Sequence, residues 1–189
     1  MPTVREEMDK KSWETRETFA YFGRAFYMAS ALEVGLAHAL LYSDFLAEVQ
    51  RKYVQTKGKN FDRVKYEAEF DAFFEKRFAQ TMGNLVREIE RIPEISDDLK
   101  KRIVAAKKRR DFLSHHFWRE RAKEFATSQG CAAMREELQK DMELFEQLDR
   151  EINTAMLPIR QRLGIKDKWL QQHYEKIMQD IMSSEVADE

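Results

Sequence analysis

Apolar residues recur every three or four positions through most of this chain, the period of helices that bury one face. The first run reads Phe19, Phe22, Phe26, Ala29, Leu36, Leu40, with Tyr21, Ala25, Met28 and Leu32 as a second apolar flank. Two apolar flanks predict a central helix from about Thr15 to Gln50. The polar stretch from Lys52 to Asp62, with Gly58, Lys59 and Asn60, predicts a loop. A second helix, from about Val64 to Ile92, is expected to bury Phe70, Phe73, Phe74, Phe78, Leu85 and Ile89 and to end at Pro93. Ser96 ahead of Asp97 and Asp98 is a capping signal for a third helix reaching about Ala126. After Thr127-Ser128-Gln129-Gly130 comes a fourth, from about Cys131 to Met156. Its face carries Met134, Leu138, Phe145, Leu148 and Ile152, with Met142 nearby, and Pro158 should kink or stop it. A fifth, from about Asp167 to Ser183, carries Trp169, Leu170, Tyr174, Ile177 and Ile181. The expected fold is all-α, an antiparallel bundle of about five long helices. Long stripes with so many Phe also leave room for a helix-mediated homodimer.

Composition narrows the class. In 189 residues there are 6 Gly and 3 Pro, too few for the turns of a strand-rich fold. A net charge of −1 excludes a uniformly basic nucleic-acid coat but allows a local basic patch. One cysteine, Cys131, excludes an intramolecular disulfide and a zinc site built on paired cysteines. It follows Gly130 with no histidine nearby and reads as inert. A reducing compartment, the cytoplasm, is expected. The N-terminus has no apolar signal core. Phe19 to Tyr42 is long enough to span a bilayer, yet Arg24, Glu33 and His38 lie inside it, so a core helix and no membrane span is expected. No metal or cofactor is expected. His38 is not in Glu-x-x-His spacing, and adjacent helical residues such as His115 and His116 point about 100° apart. Glycine-rich phosphate loops and Gly-x-Ser-x-Gly turns are missing from the sequence.

Two charges interrupt the stripes. Glu33 falls between Ala29 and Leu36, and Arg110 stands in the series Leu99, Ile103, Ala106, Arg110, Leu113, Phe117. A buried charge costs several kcal/mol unless it is paired, so Glu33 and Arg110 are natural partners by sign and depth. The pair reads either as a structural ion pair or as a polar pocket kept for chemistry. Asp111, His115 and Trp118 follow at i, i+4 and i+7 on an adjacent face, and an aspartate one turn from a histidine can hold the imidazole in one tautomer. Lys107, Lys108, Arg109 and Arg110 form a basic run suited to phosphate, with Phe117 and Trp118 as flat surfaces for bases. This set offers charge stabilisation, a proton carrier and base contact for a phosphodiester.

Arg110-Asp111-Phe112-Leu113-Ser114-His115 resembles the R-x(4–6)-H signature of the HEPN superfamily, in which a polar residue follows the arginine. The resemblance spans roughly residues 15 to 125 and implies a small helical bundle, commonly dimeric. It divides the chain into a bundle over 1–126 and a C-terminal helical extension over 127–189. Glu33 matches the polar residue that the family often places against its arginine. Many members are metal-independent RNases of toxin–antitoxin or abortive-infection systems; others bind nucleotides or partners without catalysis. Carried over, Arg110 would stabilise the phosphorane-like transition state, His115 would act as general base or acid, and Asp111 would orient the site. Arg109 and His116 would support it. RNA or a nucleotide, a second copy of the chain and an antitoxin are the implied partners. One branch of the family modifies a tyrosine two residues after the histidine; here that residue is Phe117. On a regular helix, Arg110 and His115 lie about 140° apart, so the RNase reading requires a dimer in which one copy's arginine meets the other's histidine.

Overall fold

The structure, a computed structural model, describes residues 10–56 and 61–166, with 168, 171, 172, 175, 176 and 179. Among them there is no strand. Helix α1 (Lys10–Leu40) runs through a π-helical turn (Leu41–Leu46) into α2 (Ala47–Gln55). The further elements are α3 (Arg63–Phe78), α4 (Met82–Ile89), α5 (Asp97–His115), the single turns α6 (Phe117–Glu120) and α7 (Ala122–Phe125), α8 (Ser128–Ala155) and α9 (Leu157–Arg162). The helix expected over 167–183 lies outside the described residues, except that 168, 171, 172, 175, 176 and 179 are helical and exposed.

The core is one cluster assembled on α1. Ala25, Ala29, Leu32, Leu36 and Leu40 point inward and are fully buried, against Met134, Leu138, Phe145, Leu148 and Ile152 of α8 and Ile103, Ala106, Leu113 and Phe117 at α5 and beyond. This trims the expected stripe of α1. The buried line joins Ala29, Leu36 and Leu40 of the first run to Ala25 and Leu32 of the second flank, while Phe22 and Phe26 are half-buried and Phe19 is 51% exposed. Alanines at two inward positions let α8 approach closely, and the phenylalanines pack at the edge on Phe117, Trp118 and Phe125.

Three further expectations are corrected. The second helix breaks: Thr81 takes an extended conformation and starts α4, because α4 must turn its apolar face, Met82, Leu85, Val86 and Ile89, into the core. The phenylalanines of α3 are not fully buried: Phe70, Phe73 and Phe74 are half-buried, with Phe73 packed against the edge of the core, and Phe78 is 58% exposed, while the one buried residue of that helix is Arg77. The third helix ends at His115, and two single turns carry the chain round to α8, which Thr127 caps from its side chain to Gly130 N. The bundle is also not antiparallel throughout. Arg135 of α8 bonds Glu14 and Thr18 near the start of α1, and Asp149 approaches Gly35 near its end, so these two helices run parallel. Helix α5 runs opposite to both: Glu33 meets Arg110 while Phe22 meets Phe117, and Glu151 meets Arg102 while Asp141 meets Arg109.

Other local signals behave as expected. Ser96 accepts a bond from Leu99 N and caps α5, whose first turn holds Asp97 and Asp98. Pro158 sits in the first turn of α9, where a missing N–H costs nothing, and so marks the bend after α8. Residues from 127 onward, expected as an extension, supply α8 and α9 to the same hydrophobic cluster as α1. The run Lys10–Gln55 is long and apolar enough to cross a membrane by length and composition, and its apolar line is the one buried at the centre of the bundle.

Candidate functional site

Helix α5 positions the residues singled out by the HEPN resemblance. Its buried line is Leu99, Ile103, Ala106 and Leu113, and Arg110 occupies the gap in that line, facing α1. Arg110 Nη2 stands 2.8 Å from Glu33 Oε1, both side chains about three-quarters buried. The contact is a close ion pair rather than an aligned hydrogen bond. Burial raises the pKa of Glu33 above the usual carboxylate range, although the Arg110 charge opposes the shift. Asp111 behaves oppositely. Its carboxylate takes Lys107 Nζ at 2.5 Å and Arg110 Nη1 at 3.4 Å. Burial works against its charge, but these cations outweigh it and lower its pKa.

Arg109, expected to approach phosphate, is spent inside the fold. It donates to Asp141 through Nε (2.5 Å) and Nη2 (2.7 Å), and to Glu137 (2.7 Å). Arg121 takes the same Glu137 at 2.8 Å, and both guanidiniums stack on Phe112. Burial pushes the Asp141 carboxyl up against the pull of Arg109; Glu137 is also penalised by burial, but its two arginines win and lower its pKa. This network ties α5 to α8.

His115 lies at the last residue of α5, exposed, on the side of the helix away from Arg110. Among the described residues it makes no hydrogen bond; its ring centroid is 6.3 Å from that of His116. Asp111, expected to orient it, is engaged by Lys107 and Arg110 instead. His116 is exposed, with Nδ1 2.7 Å from Arg119 Nη2. Trp118 turns toward Phe19, Phe22 and Phe125 rather than joining Asp111 and His115 on one face. Thus Arg110, Asp111 and Glu33 are brought together, Arg109 is drawn away to α8, and His115 and His116 stand in solvent. Cys131 is buried as a free thiol. Among the described residues, no group of three His, Cys, Asp or Glu side chains is placed to hold a metal ion.

Two clusters were not legible in the sequence. Arg77, 8% exposed at its side chain, contacts Glu88, Gln80 and Asp44, and stacks on Phe73; Arg91 reaches the same Asp44 at 2.5 Å. Asp44 gets there through the π-helical turn, a departure from regular helix that often marks functional sites. Beside it lies a cleft of about 410 Å³ lined by Ser43, Asp44, Gln50, Arg91, Ile159 and Arg162. The second is His38 with Asp149. Burial lowers the pKa of His38 and raises that of Asp149, and each charge partly offsets the other's shift. Spacing could have flagged only the short-range partners, such as Gln80 and Glu88 beside Arg77; Asp44 is 33 positions from Arg77, and His38 is 111 from Asp149.

Exposed large apolar side chains form a further feature. Tyr53, Val54, Phe61, Val64 and Phe78 lie on α2, α3 and the residues just before α3, beside a ladder of rings through Phe45, Tyr66, Phe70 and Phe74. No family model matches the chain, and neither a curated protein nor a solved structure is similar to it.

Proposed function

We propose that this chain is a partner-binding helical module of HEPN-like build that does not cleave RNA. One observation carries this reading: the basic run is discharged within the fold. Lys107 is salted to Asp111, Arg109 to Asp141 and Glu137, and Arg110 to Glu33, so little free cation is left for a phosphodiester. Meanwhile the surface offers exposed aromatic and aliphatic side chains on the α2–α3 hairpin, the composition of a protein-contact patch. The partner is a polypeptide, of which an antitoxin-like protein is one type. The module acts in the cytoplasm, where the lone thiol of Cys131 stays reduced.

A second reading, a metal-independent endoribonuclease, is favoured by one specific feature. Arg110 and the exposed His115 share α5, whose solvent side also carries Lys108, and the exposed His116 and Arg119 follow just beyond it. That reading needs a second copy to bring His115 to Arg110.

Incubation of the purified chain with structured and single-stranded RNA, with and without EDTA, separates the two. The binding-module reading expects intact RNA in every lane, and Arg110→Ala that lowers melting temperature without touching any cleavage. Cleavage that resists EDTA and disappears in both Arg110→Ala and His115→Ala overturns it and selects the nuclease.

A further inference from the structure

Helix α1 carries a second stripe, on the side away from the core. Ala20, Gly23, Tyr27, Ser30 and Val34 are all exposed, at spacings of three and four residues. The same spacing continues upstream through Arg16 to Trp13, which is 48% exposed. Tyr27 is 68% exposed and Val34 is 38% exposed. A methyl added at Gly23 would meet no atom within 4 Å, so this side of the helix is open. Of the two hydroxyls among these five positions, that of Ser30 is already bonded to Phe26 O, so covering it orphans no donor. Apart from Arg16 this heptad stripe is uncharged, and it faces water over about 21 residues, about 32 Å, which suits the seam of a two-helix contact.

The flanking charges name the occupant. Glu17 and Arg24 border the stripe on one side, seven residues apart, and among the described residues neither has an ion-pair partner. A parallel, in-register pairing of two α1 helices leaves both unpaired. An antiparallel pairing that sets Ala20 opposite the partner's Gly23 places Glu17 beside the partner's Arg24, twice, by the two-fold axis. The same register puts Arg16 against the partner's Tyr27, a cation over a ring. On the other flank it puts the half-exposed Phe19 against the partner's Phe26, which widens the contact beyond the two helices. The small Ala20 and Gly23 lie at the crossing point, where the backbones come closest.

We infer that the chain forms a homodimer through antiparallel α1 helices centred on the Ala20–Gly23 layer and locked by two Glu17–Arg24 pairs. The consequence for chemistry is direct. This register holds the two Arg110–Glu33 pairs about 35 Å apart along the helix axis, so the dimer does not bring one copy's His115 to the other's Arg110. A register slid by two heptads, with Tyr27 opposite the partner's Ser30, would draw the pairs together, but it leaves Arg24 opposite Ala31 and forms no ion pair. The assembly is independent of the α2–α3 face, so the failure of either inference leaves the other standing.

Sedimentation equilibrium of the full chain at micromolar concentration should give a dimer. Arg24→Glu and Glu17→Arg should each weaken it about tenfold, because each creates two like-charge contacts. The combined swap should restore it, with circular dichroism unchanged throughout. Oxidation should cross-link chains carrying Ala20→Cys with Gly23→Cys, and not chains carrying Tyr27→Cys with Ser30→Cys. A monomer, a charge swap that fails to rescue, or cross-linking of the second cysteine pair instead of the first overturns the inference. The last outcome would hand the seam to the nuclease geometry.

Discussion

Arg110 of α5 faces Glu33 of α1 at 2.8 Å, across a boundary where both helices otherwise present apolar side chains. The two residues are 77 positions apart in the sequence, and each would be an uncompensated charge without the other. Their pairing decides how α5 is rotated on α1, and therefore which of its neighbours look inward. With Arg110 turned to α1, Arg109 is turned to α8 and His115 to solvent.

That coupling is measurable. Arg110→Ala and Glu33→Ala should each lower stability by about 1–2 kcal/mol, since each leaves a largely buried charge behind. The double variant should cost less than the sum, giving a favourable coupling in a denaturant-based double-mutant cycle. Strict additivity would mean that the two charges are independently solvated.

The basic run should be sharply uneven. Arg109→Met removes three bonds to Asp141 and Glu137 and strands a nearly buried carboxylate, at a cost of about 2–4 kcal/mol. Lys108→Ala, at an exposed position one residue away, should stay within about 0.5 kcal/mol of the parent. Equal melting temperatures for the two variants would contradict the burial of this network.

His38 sets a pH dependence. Its folded pKa lies below the unfolded value near 6.5, so the folded state binds fewer protons in that range. Stability from this group is therefore present above about pH 6.5 and is lost as pH falls through the lower, folded value. His38→Gln should flatten that part of the curve of unfolding free energy against pH. Asp149, whose pKa burial raises, works in the other direction at lower pH, where its stabilising protonation is lost as pH rises. An unchanged profile in His38→Gln would assign the acid limb to the carboxylates alone.

Two glycines should respond oppositely to one methyl group. Within one chain Gly23 is exposed in mid-helix with open space around a Cβ, so in the monomer Gly23→Ala should stabilise by about 1 kcal/mol through helix propensity. At Gly130 the added carbon would run into the backbone of Glu124, where α7 turns into α8. Gly130→Ala should cost about 1–3 kcal/mol. Thermal melts at a concentration low enough to keep every variant monomeric check both signs.

Periodicity alone determined the all-helical class, the inward face of α8, the Ser96 cap, and the series on α5 with its one charged position. These follow from local rules: a 3.6-residue repeat, a capping oxygen, the shape of proline. The opposition of Arg110 to Glu33 was legible too, because a charge on an apolar stripe has few ways of being satisfied. Tertiary structure decided the rest. The phenylalanines of α3 looked like core and are only half covered, Phe78 least of all, since hydrophobicity says that a face prefers burial but not whether a neighbour is left to cover it. Arg109 and Arg110 are adjacent and chemically identical in the sequence; they part company because a helix turns by about 100° per residue, toward α8 at one and α1 at the other. The break at Thr81 and the π-helical turn that aims Asp44 at Arg77 and Arg91 have no local signature, because both answer to partners from elsewhere in the chain.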